Sequence, residues 1–226
     1  MPQRSIIEWT EYTSNPIRGQ CQNACWYCYA ERRRKQLSLP EEITWHPEEL
    51  TKIQSMRRPA TIFMGSMHDI FGSWIPTEWI SQIIDTIMKC KHHTFLFLTK
   101  NFARYCNFFF PENCYIGITF TSQRDIKNDT FDILRNLSIE QNHLFLSFEP
   151  LLGDFHEDEC PIRARSTIII GAMTGPESGD HKPLSSWGYH LINIARSRSC
   201  RIFLKDNLKK IYPDLPDLRE TAWEIS

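Results

Sequence analysis

The sequence has 226 residues, 41% of them hydrophobic, and a formal net charge of −1. That length suits one domain with a sizeable core, and no run of eighteen apolar residues is present to cross a membrane. So balanced a charge gives no whole-chain attraction to nucleic acid, and no apolar signal segment opens the chain, so a cytoplasmic protein with reduced thiols is expected.

Ile6–Thr10 predicts the first strand. Its exit, Thr13-Ser14-Asn15-Pro16, leads into Cys21-Gln22-Asn23-Ala24-Cys25-Trp26-Tyr27-Cys28-Tyr29. Three thiols spaced x3 then x2 point to a metal centre. Three thiolates can hold three irons of a [4Fe–4S] cluster and leave the fourth open to a substrate or cofactor. A cluster with four thiolates mainly passes electrons. Three other readings stay open. A disulfide framework needs an oxidising compartment. A structural zinc site needs a remote fourth ligand, for which His46 and Cys90 are candidates. The thiols can also be incidental. The other five cysteines, Cys90, Cys106, Cys114, Cys160 and Cys200, lack motif spacing and read as mostly buried small hydrophobes.

A basic run, Arg32-Arg33-Arg34-Lys35, follows the cysteine loop, with Arg57-Arg58 further on. Such a helix can hold phosphates, and Trp26, Tyr29, Trp45, Phe71 and Trp74 can stack a base. The ordinary reading of a charge run is a solvated helix face.

Strands are predicted at Thr61–Gly65, Thr94–Leu98, Tyr115–Thr119, Leu144–Phe148, Thr167–Gly171 and Arg201–Leu204. Most are continuous apolar runs, as in parallel strands buried on both faces. Glu78–Lys89 carries a helical stripe of Trp79, Ile80, Ile83, Ile84, Ile87 and Met88 behind Pro76. Ile126–Leu137 and Leu184–Ala195 show weaker stripes. Asp154–Glu159 reads as an acidic surface loop. The alternation implies one α/β domain over residues 1–226, with too few strands for a full (β/α)8 barrel. Polar residues close nearly every strand: Thr13, Ser66, Asp69, Thr99, Lys100, Thr119, Thr121, Ser147, Glu149, Thr174, Lys205 and Asp206. In α/β barrels that edge is where reacting groups gather, so it forms a candidate pocket.

The cysteine spacing, with Tyr27 just before Cys28, resembles the radical S-adenosylmethionine (radical SAM) enzymes. The set Asn15-Pro16-x-x-Gly19-x-Cys21, Gly65-Ser66-Met67-x-Asp69, Leu98-Thr99-Lys100, Ser147-x-Glu149-Pro150-Leu151-Leu152 and Phe203-Leu204-Lys205 is similar to a phage and prokaryotic radical-SAM-like family known as a domain of unknown function. The likeness runs from about Ile7 to Lys205. It implies an open partial (β/α)6-type barrel, a [4Fe–4S] cluster on Cys21, Cys25 and Cys28, and S-adenosylmethionine (SAM) as cofactor. The cluster would cleave SAM reductively to a 5′-deoxyadenosyl radical that abstracts hydrogen from a substrate, with flavodoxin or ferredoxin as electron donor.

The resemblance also assigns roles. Gly65, Ser66 and Met67 would hold the methionyl amine through backbone carbonyls, with Asp69 as helper. Thr119 and Thr121 would meet the ribose. Tyr27, Thr99, Ser147 and Glu149 would line the cofactor site. Lys100, Lys205 and Glu149 are the candidate catalytic groups, the lysines pairing with the SAM carboxylate or a substrate anion. Ala172-Met173 replaces an expected acidic residue after the sixth strand, and Met173 would pack on the adenine. The cysteine loop also resembles that of radical SAM enzymes acting on DNA lesions or tRNA, which brings nucleic acid in as a substrate class. The competing function is a non-catalytic module, stabilised by zinc or an Fe–S centre, that binds nucleic acid or protein.

Overall fold

A computed structural model describes residues 2–137 and 143–223. The chain divides into two compact units, Met1–Ile116 with Trp223–Ser226, and Gly117–Ala222.

In the first unit, β1 (Gln3–Arg4) lies antiparallel to β2 (Tyr12–Ser14). A short antiparallel pair follows, β3 (Ile17–Arg18) with β4 (Thr44–Trp45). Between them run the cysteine loop and α1 (Tyr29–Gln36). Helix α2 (Glu48–Gln54) precedes β5 (Thr61–Met64), and α3 (Thr77–Lys89) precedes β6 (Thr94–Thr99). β2, β5 and β6 are parallel. Every residue of β5 is buried, which is why its sequence is an unbroken Thr-Ile-Phe-Met. Helix α3 buries Ile80, Ile83, Ile84 and Ile87 as its stripe predicts, whereas Met88 is exposed.

The expected first strand is displaced. Residues Ile7–Thr10 form a turn, with Thr10 N–H donating to Ile7 O at 3.3 Å, and Ile6 is fully exposed. The apolar run serves to bury Trp9 against Phe63, ring centroids 4.8 Å apart, and parallel pairing starts at Tyr12.

Register decides where the polar residues gather. Ser14 aligns with Met64, and Met64 with Phe97. The segments after β2, β5 and β6 therefore leave the strands at one edge. Beneath that edge Phe71 packs against Phe97, Tyr105, Phe108 and Phe110, with centroids 4.5 to 5.9 Å away. Edge-on contacts of this kind add roughly 0.5–1.5 kcal/mol each beyond area burial.

Strand β7 (Cys114–Thr119) carries the chain into the second unit. There α4 (Thr130–Asn136), β8 (Leu144–Phe148), β9 (Thr167–Ile170), α5 (Ser185–Ser197), β10 (Arg201–Leu204) and α6 (Asp206–Ile211) follow. β8, β9 and β10 are parallel, and Phe148, Ile170 and Leu204 share one register. Glu149, Gly171 and Lys205 thus emerge side by side. Asp154–Glu159 forms a loop with one 3-10 turn at Glu157–Glu159, as its composition suggests. The α/β class with parallel strands is as expected. Among the described residues, no helix is long and apolar enough to cross a membrane.

Candidate active site

The cysteine loop is framed before it begins. Gly19 has φ +111°, and a Cβ there would lie 2.3 Å from Glu42 O, so only glycine lets the chain pass so close. Gln20 N–H donates to Glu41 O at 2.9 Å. At its far end Cys28 is the N-cap of α1, its sulfur accepting from Glu31 N–H at 3.5 Å.

Cys21, Cys25 and Cys28 are all half-buried free thiols. Burial pushes the Cys21 thiol up to about 11, against the N–H groups of Asp69 and Asn23, which favour the thiolate. Burial also raises Cys25, against the Lys100 ammonium. Negative charge on Cys28 would raise both, so the three sulfurs sit within electrostatic reach of one another. Metal binding would have to displace these protons. An open cavity of about 480 Å³ adjoins the loop, lined by Gln20, Cys21, Gln22, Ala24, Glu41 and Ile43.

The donor set fits a thiolate-ligated cluster, in which each cysteine takes its own iron. Among the described residues, no group of three His, Cys, Asp or Glu side chains is placed to hold a metal ion. The fourth ligands considered for zinc are also engaged or enclosed. Both ring nitrogens of His46 have partners, Thr44 Oγ1 at 2.9 Å and Glu48 Oε1 at 2.8 Å, and Cys90 is buried.

The turn after β5 is pinned beside the loop. Asn15 Oδ1 accepts from Met67 N–H at 2.9 Å, Asn15 Nδ2 donates to Ser66 Oγ at 3.1 Å, and the Tyr29 hydroxyl donates to Ser66 O. Gly65 has φ +80°, but a Cβ there would meet Ile70 Cγ1 and His68 O at 2.7 and 2.8 Å. Its lack of a side chain therefore lets the turn close. Asp69 and Thr99 are spent within the protein. The Thr99 hydroxyl donates to Asp69 Oδ1 at 2.6 Å, and Asp69 accepts from four further donors. Lys100 lies over the Tyr27 ring, 5.6 Å from its centroid.

The basic helix is less open than its sequence suggests. Arg34 is buried and bonded to Glu31 at 2.8 Å, Glu41 at 3.2 Å and Leu39 O at 2.8 Å. Lys35 pairs with Glu31, and Arg32 donates to Tyr27 O. Arg33 is exposed, and Trp26 and Tyr29 are 54% and 47% exposed.

In the second unit Lys205 Nζ donates to Glu149 Oε1 at 2.5 Å, and Asn207 Nδ2 reaches the same oxygen at 3.4 Å. Asn207 also brackets the backbone of Ala172, whose N–H and C=O it meets at 3.1 and 2.7 Å. Gly171 leaves room for the pair; a Cβ there would sit 3.0 Å from both Glu149 Cδ and Lys205 Cδ. Thr121 turns away to Asp125, 2.7 Å from its hydroxyl. Thr119 is half-buried, and Ser147 and Met173 are buried. The roles of Asn207, Asn23 and Asn101 escaped the sequence reading, because a lone asparagine, whether in a loop or in the first turn of a helix, carries no distinguishing pattern. Of the five scattered cysteines, Cys106 is exposed and the other four are buried.

A family model described as "Protein of unknown function (DUF5131)" matches residues 4–209. The chain belongs to this family. Comparison with curated proteins finds no match. Among solved structures, this DUF5131 chain is similar to spore photoproduct lyase. One such structure is a mutant with a dinucleoside spore photoproduct, at TM-score 0.63. A second is the lyase complexed with the same ligand, at 0.60, and a third is another mutant, at 0.61. Each is 11% identical, over 91% of this chain and 79% of that one. The likeness is one of fold.

Proposed function

We propose that this protein is a radical SAM enzyme built on an open partial (β/α)6 barrel, residues 1–226 acting as one catalytic domain. The observation that carries the reading is the Cys21-x3-Cys25-x2-Cys28 spacing, with no fourth thiol at motif spacing. The fold of spore photoproduct lyase, itself a radical SAM enzyme, supports it.

The three cysteines would hold a [4Fe–4S] cluster. With SAM bound, that cluster supplies one-electron cleavage of a sulfonium and a carbon radical able to take a hydrogen atom. Flavodoxin or ferredoxin would deliver the electron. The chain's own residues do the rest. Lys100 places positive charge beside Cys25 and offsets the charge of the thiolates. The carbonyls of the Gly65–Met67 turn hold the methionyl ammonium. Glu149 and Lys205 pair at their strand ends, where they can orient a polar group of cofactor or substrate.

A nucleobase-bearing substrate is the class we favour, because Trp26 and Tyr29 present their rings to solvent beside the cysteine loop. The dinucleoside recorded in the lyase structures agrees with that choice.

Anaerobic reconstitution followed by mass spectrometry of SAM products tests the reading. About four irons per chain and cleavage of SAM are expected. Alanine at Cys21, Cys25 or Cys28 should abolish both, while Cys200→Ala, buried against Ser166, should keep them. One equivalent of zinc without iron uptake would sink it.

A further inference from the structure

The Asp69 carboxylate is saturated. Oδ1 accepts from the Thr99 hydroxyl at 2.6 Å and Phe71 N–H at 3.0 Å. Oδ2 accepts from Asn23 Nδ2 at 2.8 Å, Asn101 Nδ2 at 3.0 Å and Lys100 N–H at 3.1 Å. A carboxylate offers about four lone-pair positions, so five donors leave none for an incoming ammonium. The side chain is buried, where such charge-assisted bonds are at their strongest.

Its two oxygens face different tasks. Oδ1 ties the turn after β5 to the end of β6. Oδ2 reaches into the cysteine loop, since Asn23 stands midway between Cys21 and Cys25. Asn101 closes the arrangement, for its Nδ2 also donates to Asn23 Oδ1 at 3.0 Å. Both ends of the Asn23 amide are therefore held. Second-shell donors of this kind fix ligand orientation and tune a metal site.

We propose that Asp69 is a positioning residue for the cysteine loop: it clamps Asn23 with its carboxylate, holding the thiols in place before metal arrives. This rests on the cluster reading above and assigns Asp69 to the loop instead of to the SAM amine.

Two substitutions separate the clamp from general stability. Asp69→Asn keeps the shape, but its amide NH2 cannot accept from Asn23, Asn101 and Lys100 while its oxygen serves Thr99 and Phe71. Asn23→Ala removes the loop side alone and leaves Asp69 four donors. The readout is amide hydrogen exchange of the metal-free chain, comparing residues 20–28 with β5. Loop exchange should rise about tenfold or more in both variants, the size expected for a lost bond to a charged group. The β5 amides should be unchanged in Asn23→Ala.

Loop exchange unmoved in Asn23→Ala, or rising only in step with β5, overturns the clamp. Iron uptake is followed in parallel. A wild type that takes up no iron overturns the cluster reading. A wild type that loads iron while the loop amides of Asn23→Ala exchange as before overturns the clamp alone.

Discussion

Lys205 and Glu149 meet across Gly171, ammonium to carboxylate at 2.5 Å, with side chains only 14% and 23% exposed. Their strands share one register, so neither residue has to leave its backbone path to reach the other. Removing one member leaves the other charge largely desolvated with only Asn207 beside it. Lys205→Met should lower unfolding free energy by about 1–3 kcal/mol, below the range for a fully buried pair. Glu149→Gln combined with it should restore part of the loss. Urea titrations of Lys205→Met, Glu149→Gln and the double variant check this, and additive losses would mean the two charges do not depend on each other.

His68 and His93 set a pH dependence. Burial holds both imidazoles below their ordinary value of 6.5. His68 Nε2 accepts from Trp74 Nε1–H at 3.0 Å, so its proton sits on Nδ1, facing Gly19 O at 3.3 Å. Below pH 6.5 the unfolded chain binds protons that the folded one refuses. Stability should therefore fall as pH drops from 6.5 toward the folded values and stay level above that. Unfolding midpoints at pH 7.5 and 5.5 measure it. His93→Phe should reduce the difference between them, and an unchanged difference would show that His93 titrates alike in both states.

Arg33 and Arg34 should behave oppositely despite being neighbours. Arg34→Ala loses bonds to Glu31, Glu41 and Leu39 O, and the melting temperature should fall by several degrees. Arg33→Ala should leave it alone. If nucleic acid binds, Arg33→Ala should weaken binding alike for all sequences and flatten its salt dependence. Gel shifts at two salt concentrations give the answer, and no binding at low salt would remove nucleic acid from the substrate classes.

The sequence announces burial better than it announces partners. Thr61–Met64, Leu144–Phe148 and Thr167–Ile170 are legible because a strand buried on both faces needs an unbroken apolar run. The same rule misplaces the first strand, since Ile6-Ile7-Glu8-Trp9 has the composition of a strand and serves as a turn. The three cysteines are legible because their spacing is local. The pairing of Asp69 is not, because its partner Asn23 lies 46 residues away and only the fold brings them together. Arg34 resembles its neighbours until the phase of α1 and the position of Glu41 are known. Glu149 and Lys205 are each legible as polar strand ends, but their pairing is a product of the shared register of β8, β9 and β10.

Phe71 belongs to two systems at once. Its ring is the hub of the aromatic cluster with Phe97, Tyr105, Phe108 and Phe110, and its N–H holds Asp69 Oδ1. Packing density and loop geometry are thereby coupled through one residue. A substitution that repacks the rings shifts the backbone on which the carboxylate leans, and errors of a few tenths of an ångström are not absorbed by a close-packed interior. Efforts to stabilise this protein by redesigning its core would do best to start in the second unit or on α3. Around Phe71, thermal stability and the geometry of the cysteine loop cannot be tuned separately.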